Sequence, residues 1–286
     1  MTDTMFNGRE RSRTTTSDRR HGVFDHRPEP SVPLADDHPA IVGSTTRYPK
    51  SVIRTKTRSM ILKDGKHQRK LGDRIKVGAW AGAKVFAVTL IERETCPSYC
   101  EMWRTCYGNN MHWSHRHDPA RPGFLDDLEL EVNLACWTHE KVAIRLHVLG
   151  DFPTMEYAEL WHRALRTHDN LHLFGFTALR VGGSRHGDAI AHEIAIMNRH
   201  YPDRCRIRWS GTWAGGGGDY GGGGAMVRDI ADPENTPGAF PCSAQTGKAD
   251  GCDTCGMCWA EKHWRSTVVF QDHGRPKSGR KSEMAP

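Results

Sequence analysis

The chain has no run of eighteen or more apolar residues, and its first twenty, MTDTMFNGRERSRTTTSDRR, lack the apolar segment of a secretory leader. The chain reads as neither membrane-spanning nor secreted. The expected setting is therefore the cytoplasm, with no membrane partner. Aliphatic residues are scarce over the first fifty positions, where Arg, Ser, Thr, Asp and Pro dominate. Such a stretch cannot bury enough surface to offset the entropy of ordering, so residues 1–50 are expected to form a flexible, disordered basic arm. A large charge excess is also lacking: 40 Lys and Arg against 34 Asp and Glu leave a formal +6 over 286 residues. That balance permits nucleic-acid contact without requiring it.

What the sequence does have is nine cysteines. With no leader, a disulfide framework is a poor account of them, because cytosolic pools keep thiols reduced, and metal or redox chemistry becomes the better one. Three of them, Cys96, Cys100 and Cys106, lie in ERETCPSYCEMWRTCYGNN, immediately after the apolar run KVFAVTLI. Their polar neighbours argue against three unrelated core cysteines. The spacing C-x3-C-x5-C offers three thiolates from one loop. These suit either a zinc site with His112, His115 or His117 as a fourth ligand, or a cubane iron–sulfur cluster with one iron left open. Four more, Cys242, Cys252, Cys255 and Cys258, form C-x9-C-x2-C-x2-C near the C-terminus. Two-residue gaps let successive sulfurs turn onto one centre, zinc or a second iron–sulfur cluster. Cys136 and Cys205 fall inside a predicted helix and a predicted strand and read as core residues.

Between the cysteine blocks, strand and helix patterns alternate. KVFAVTLI, VAIRLHVLG, LHLFGFTA and RCRIRWSG read as strands. The segment from Gly123 puts Leu125, Leu128, Val132 and Cys136 on one helical face; TMEYAELWHRALRTH does so for Ala158, Trp161 and Leu165, and DAIAHEIAIMNRHY for Ile190, Ile194 and Met197. Alternation of this kind predicts βαβ units on a parallel sheet. The expected fold is α/β, a partial (β/α) barrel over residues 51–235, with the arm before it and a four-Cys metal-binding extension over 236–286. Functional groups in such folds sit on loops at the carboxyl ends of strands, where both the first cysteine loop and Gly150-Asp151 fall.

Other candidates follow from position. Strand alternation would put residues 147, 149 and 151 on one face, making His147 a candidate acid or base; the plainer alternative is a hydrogen-bonded core histidine. Thr177 and Arg180, after the third strand, are candidates to meet a carboxylate or ribose; the plainer alternative is a solvated loop arginine. The stretch WAGGGGDYGGGGAM lacks a phosphate-loop order and reads as a linker or lid, with Trp209 and Trp213 packing at its entry. Segment 54–76 is dense in Lys and Arg, with a hairpin expected around KDGK; it is either a solvated face or a strip that contacts nucleic acid.

The order TLIERETCPSYCEMWRTCYG, RLHVLGDF, FGFTALR, PCSAQTGKADGCDTCGMCW and VVFQDHG resembles the phage gene product 88 family, and its layout is similar to the radical S-adenosylmethionine superfamily. The resemblance implies that Cys96, Cys100 and Cys106 hold a [4Fe–4S] cluster whose open iron chelates S-adenosylmethionine. It further implies that Gly150 and Asp151 meet the amino group of that cofactor, and that a reducing partner supplies electrons. The second gap here is five residues against the superfamily's usual two, and the aromatic Tyr107 follows the last cysteine instead of preceding it. The expected function is a radical S-adenosylmethionine-like enzyme of phage or mobile-element type acting on an unknown substrate. The alternative is a zinc-stabilised nucleic-acid-binding protein.

Overall fold

The computed structural model describes residues 52–53, 60–68, 70–100, 102, 106–111, 114–180, 185–211, 224–228 and 238–271. The arm expected at 1–50, the stretch 54–59, His112, Trp213 and most of the Gly-rich segment lie outside them. Among the described residues, ten strands and five α-helices occur in the order β1 (Val52–Ile53), β2 (Lys63–Asp64), β3 (Lys84–Ala87), β4 (Arg116–His117), α1 (Phe124–Thr138), β5 (Val142–Leu146), α2 (Met155–Thr167), β6 (Leu171–Thr177), α3 (Arg185–His200), β7 (Cys205–Ser210), β8 (Gly224–Arg228), β9 (Ala239–Pro241), α4 (Ser243–Thr246), α5 (Cys252–Cys255) and β10 (Thr267–Gln271). Eight strands form one sheet in the order β2-β3-β5-β6-β7-β8-β10-β9, while β1 pairs with β4 alone. All neighbours in the large sheet are parallel except β2, which runs antiparallel to β3. The protein is thus a mixed α/β fold on a mostly parallel central sheet. No helix among the described residues is long and apolar enough to cross a membrane.

The helices form where the apolar period calls for them. In α2, Tyr157, Ala158, Trp161, Ala164 and Leu165 make the buried stripe, and Thr154 caps the start by accepting from Tyr157 N. In α1 the buried face is Phe124, Leu128, Val132, Ala135 and Cys136. These stripes pack on one side of the sheet, against Val142, Ile144, Leu146, Leu171, Leu173, Cys205 and Ile207. Cys136 and Cys205 are core residues, as expected. The opposite face carries a second core of Leu71, Ile75, Trp80, Val85, Ala87, Ala143, Phe174 and Trp259.

That second face is concave. The rings of Phe176 on β6 and Phe270 on β10 are 5.2 Å apart, although β7 and β8 lie between their strands. Three strand spacings on a flat sheet amount to about 14 Å, so the sheet must curl to bring the rings together. Gly175 permits the closest approach within it, because a Cβ there would run into the carbonyl oxygen of Leu146 on the neighbouring strand.

Two expectations change. The KDGK segment makes no hairpin: β2 pairs with β3, and Gly65–His67 form a 3-10 turn capped by Asp64, whose carboxylate accepts from Lys66 N at 3.0 Å. The C-terminal cysteine region is no appendage either. Its strand β10 lies between β8 and β9, and β9 forms the sheet's far edge. The extension is therefore part of the same core, because its strands have nowhere else to satisfy their backbone groups.

Candidate metal and cofactor site

The first cysteine loop leaves the carboxyl end of β3 and is tied down at several points. Arg93 takes a left-handed backbone conformation (φ 68°), turning the chain at the loop's entrance. Thr95 donates its hydroxyl to the carbonyl of Ile91 (2.7 Å) and accepts from Asp151 N (3.1 Å). Gly150 makes this approach possible: its φ is +84°, and a Cβ would sit 2.6 Å from Thr95 Oγ1 and 2.8 Å from Leu90 Cβ. On the far side of the loop, Arg116 and Glu92 form a fully buried bidentate pair (2.6 and 2.9 Å). The same guanidinium donates to the carbonyls of Gly108, Met111 and Ser114. One arginine thus draws Gly108, Met111 and Ser114 into a compact knot.

Asp151 binds the next two strand ends together. Its Oδ1 accepts from Thr177 Oγ1 and Phe152 N, both at 2.8 Å, and its Oδ2 accepts from Ala178 N at 2.7 Å. Burial pushes its carboxyl up to about 6, with these three hydrogen bonds pulling the other way. Arg180 reaches back to the cysteine loop. Its guanidinium lies over the Tyr99 ring (4.7 Å), and its backbone N–H points at the Tyr99 hydroxyl (3.4 Å). Gly150, Asp151, Thr177 and Arg180 therefore gather around the loop of Cys96 and Cys100, which neighbours Asp151 closely enough to feel its charge.

Each of the three cysteines keeps some exposed surface. Burial nevertheless raises their thiols, Cys100 to about 12 and Cys96 and Cys106 upward as well; neighbouring thiols add to this at Cys96 and Cys100, and Arg93 opposes it at Cys106. A thiol held so far from ionisation is a poor free nucleophile. A bound metal removes the difficulty by supplying the cation that stabilises the thiolate.

The second set, Cys242, Cys252, Cys255 and Cys258, lines a single pocket with Phe240, Met257, Trp259 and Val268. Cys242 follows β9, α5 carries Cys252 and Cys255, and Gly256 turns the chain back toward Cys258. Ring packing, an ion pair and an arginine hold this region. Trp259 stacks on Trp80 (5.4 Å, 5°) and packs on Phe174 (4.7 Å). Lys76 binds Asp253 through both its backbone and its ammonium. Arg208 on β7 donates to the carbonyls of Cys258, His263 and Ser266. Burial raises Cys252 to about 11 and Cys258 to about 12.

Among the described residues no three His, Cys, Asp or Glu side chains converge closely enough to hold a single metal ion. A cubane takes one thiolate per iron, so its sulfurs stand farther apart than those around one ion. His117, a candidate fourth ligand, is fully buried in β4 near the Phe124 ring. Burial, and then the charge of Lys63, lowers its pKa to about 4.

His147 departs from the expected alternation. β5 ends at Leu146, so strand alternation does not carry through to residue 151. The imidazole turns instead toward α2, where Nε2 meets the Tyr157 hydroxyl at 2.8 Å and the ring packs edge-on against Phe152. Leu149 belongs to the opposite core. Burial, with the Arg145 charge adding to it, lowers His147 to about 3. These contacts match the plainer of the two readings, a hydrogen-bonded core histidine.

Where the basic segment is described, three of its cations have acidic partners, two of which Lys84 shares. Lys66 pairs with Asp64, Arg74 with Asp73 and Lys76 with Asp253. Sequence reasoning missed Glu92, Thr95, Tyr99, Arg116 and Arg208. One signal was available: ERE directly after an apolar strand puts charge where burial is expected, and a partner must then exist. No protein-family model matches the chain, and neither do curated proteins or solved structures.

Proposed function

We propose that this protein is an iron–sulfur-dependent enzyme of the radical S-adenosylmethionine type, of phage or mobile-element origin, acting in the cytoplasm on a substrate received by the concave face of a partial (β/α) barrel. The observation that carries this reading is the convergence of three consecutive strand ends. The loop of Cys96, Cys100 and Cys106 after β3, Gly150-Asp151 after β5, and Thr177 with Arg180 after β6 all meet at one place.

In this reading Cys96, Cys100 and Cys106 hold a [4Fe–4S] cluster. Bound there with S-adenosylmethionine and reduced by a partner protein, the cluster supplies hydrogen-abstracting radical chemistry, which belongs to the cofactor. The chain's own groups position and shield. Asp151 has two carboxylate oxygens and three donors, which leaves acceptor capacity for an ammonium group. Thr177 keeps that carboxylate oriented, and Arg180 latches the loop through Tyr99. The second cysteine set holds zinc or a further cluster and serves mainly to complete the fold, since metal binding at a site formed only on folding contributes folding energy.

The test is anaerobic reconstitution with iron, sulfide and zinc analysis, followed by calorimetric titration with S-adenosylmethionine. Cys96→Ala, Cys100→Ala and Cys106→Ala should each abolish the first site's brown chromophore, because two thiolates rarely hold such a cubane. A full cluster without S-adenosylmethionine binding would overturn the radical reading. Colourless, zinc-containing protein whose binding to DNA or RNA falls steeply with salt would favour the zinc-stabilised nucleic-acid module through segment 54–76.

A further inference from the structure

The concave face carries three arginines in similar register. On β7, Cys205, Ile207 and Trp209 belong to the helix-side core, so Arg206 and Arg208 alternate onto the other face. Arg145 on β5 likewise alternates with Ile144 and Leu146. Two of the three are buried. Arg208 is fully buried and donates to three carbonyls of the C-terminal segment at 2.7–2.9 Å. Arg206 is buried and lies over the Trp264 ring at 4.8 Å.

Arg145 differs from both. Its guanidinium lies over the rings of Phe176 (4.3 Å) and Phe174 (5.7 Å). Among the described residues it makes no side-chain hydrogen bond and no ion pair. Aromatic rings engage the face of a guanidinium and leave its five N–H donors, which lie in the plane, unused. The residue is only partly exposed, so water access is limited. Phe174 packs in turn on Trp259 (4.7 Å), beside Cys258, and the chain runs on from the end of β5 at Leu146 to Gly150-Asp151 beside the first cysteine loop, which puts Arg145 between the two cysteine sets.

A planar fork oriented on two rings, with its donors free, is built for an oxyanion. We infer that Arg145 is the recognition group for a carboxylate or phosphate carried by the substrate, bound on the concave face between the two cysteine sets. The inference rests on the reading of that face as the substrate chamber. It restricts the substrate class to anionic molecules, and the fork geometry favours two parallel hydrogen bonds to one anionic group.

The test uses the full chain, reconstituted anaerobically, with inorganic phosphate and acetate as separate probes. Phenylglyoxal modifies accessible guanidinium groups, and peptide mass spectrometry reports each arginine. Arg145 should react, while Arg206 and Arg208 should not. One of the two oxyanions should protect it, phosphate pointing to a phosphorylated substrate and acetate to a carboxylic acid. By calorimetry, Arg145→Gln should weaken binding of the protecting anion by roughly ten- to a hundredfold, and Arg145→Lys by less, since an ammonium keeps the charge but loses the fork. Unchanged reactivity of Arg145 with both anions, in protein that holds its full cluster, would overturn this inference alone. Protection of Arg145 in protein that holds no iron would leave it standing and overturn the enzyme class proposed above.

Discussion

The two cysteine sets solve the same problem in opposite ways. Both enclose thiols in surroundings that disfavour ionisation, so a thiolate in either would be stabilised by a neighbouring cation. The first is held by polar groups: a buried Glu92–Arg116 pair, the Thr95–Asp151–Thr177 chain, and Arg180 over Tyr99. The second is held mainly by packing, with Trp259 against Trp80 and Phe174, and at its margin by the Arg208 guanidinium on three carbonyls and the Lys76–Asp253 pair. Polar networks fix direction, because hydrogen bonds have preferred geometry. Apolar contacts fix proximity and contribute most of the burial free energy. A site that must aim at a substrate gains from the first arrangement, and a site that completes a fold gains from the second.

The sharpest way to break this contrast is to remove one holding element from each set. Trp259→Ala deletes a nearly fully buried ring, which costs about 3–5 kcal/mol. At this chain length that corresponds to a fall in melting temperature of roughly 6–20 °C. Differential scanning calorimetry with metal analysis should show that loss together with loss of metal from the second set only. Arg116→Met strands the Glu92 carboxylate in the interior, at a cost also near 3–5 kcal/mol. Here the first set should lose its metal. The double variant Glu92→Gln/Arg116→Met should recover part of the stability, since the unpaired charge is gone. If Arg116→Met keeps a full first cluster, the polar knot is not what orients that loop.

Why one network was foreseen and the other was not follows from how far apart the partners lie. The helix stripes of α1 and α2 repeat within a few residues, so their core faces can be read directly, Cys136 among them, and Cys205 follows from the strand RCRIRWSG. Gly150-Asp151 was legible because a strand end is a local feature. Glu92 and Arg116 stand 24 positions apart, and nothing local in either segment names the other. The place of β10 between β8 and β9 is also non-local, being decided by which edge is left to pair. His147 was misplaced for a different reason. Alternation was carried past Leu146, where the strand has already ended, so the side chain's direction no longer followed from its parity.

The histidine offers a smaller test that separates the sheet's helix side from its rim. In the unfolded chain His147 titrates near 6.5, whereas in the fold it stays neutral down to about 3. Between those values the unfolded state binds more protons, so stability is full above the unfolded pKa and falls as pH drops. From about pH 7.5 to about pH 5 this costs about 2 kcal/mol. Asp151 acts in the opposite sense. Its carboxyl is raised to about 6, so the folded state holds the extra proton and gains as pH falls over the same window. His147→Gln keeps Asp151 and removes only the histidine's part. Denaturant unfolding at both pH values should therefore show the variant losing about 2 kcal/mol less than wild type on acidification. Equal losses would mean that His147 is already charged in the fold, against its place beside Tyr157.

The smallest expected effect belongs to the latch between Arg180 and Tyr99. The contact joins the end of β6 to the cysteine loop, but it is a single cation over a ring at the protein's edge. Such contacts are worth about 0.5–1 kcal/mol where solvent reaches them. A double-mutant cycle on Arg180→Leu and Tyr99→Leu isolates that coupling from the effect of either truncation alone. The expected coupling is of that size, about 1–4 °C in melting temperature, with iron content unchanged because neither residue is a ligand. The consequence should instead appear in the loop itself. With the latch gone, hydrogen exchange at residues 96–100 should quicken in the absence of S-adenosylmethionine and slow again when it binds, since a ligand bridging loop and β6 would replace the lost contact. A coupling of zero, with exchange unchanged, would mean that Asp151 and Thr95 hold the loop without help from β6.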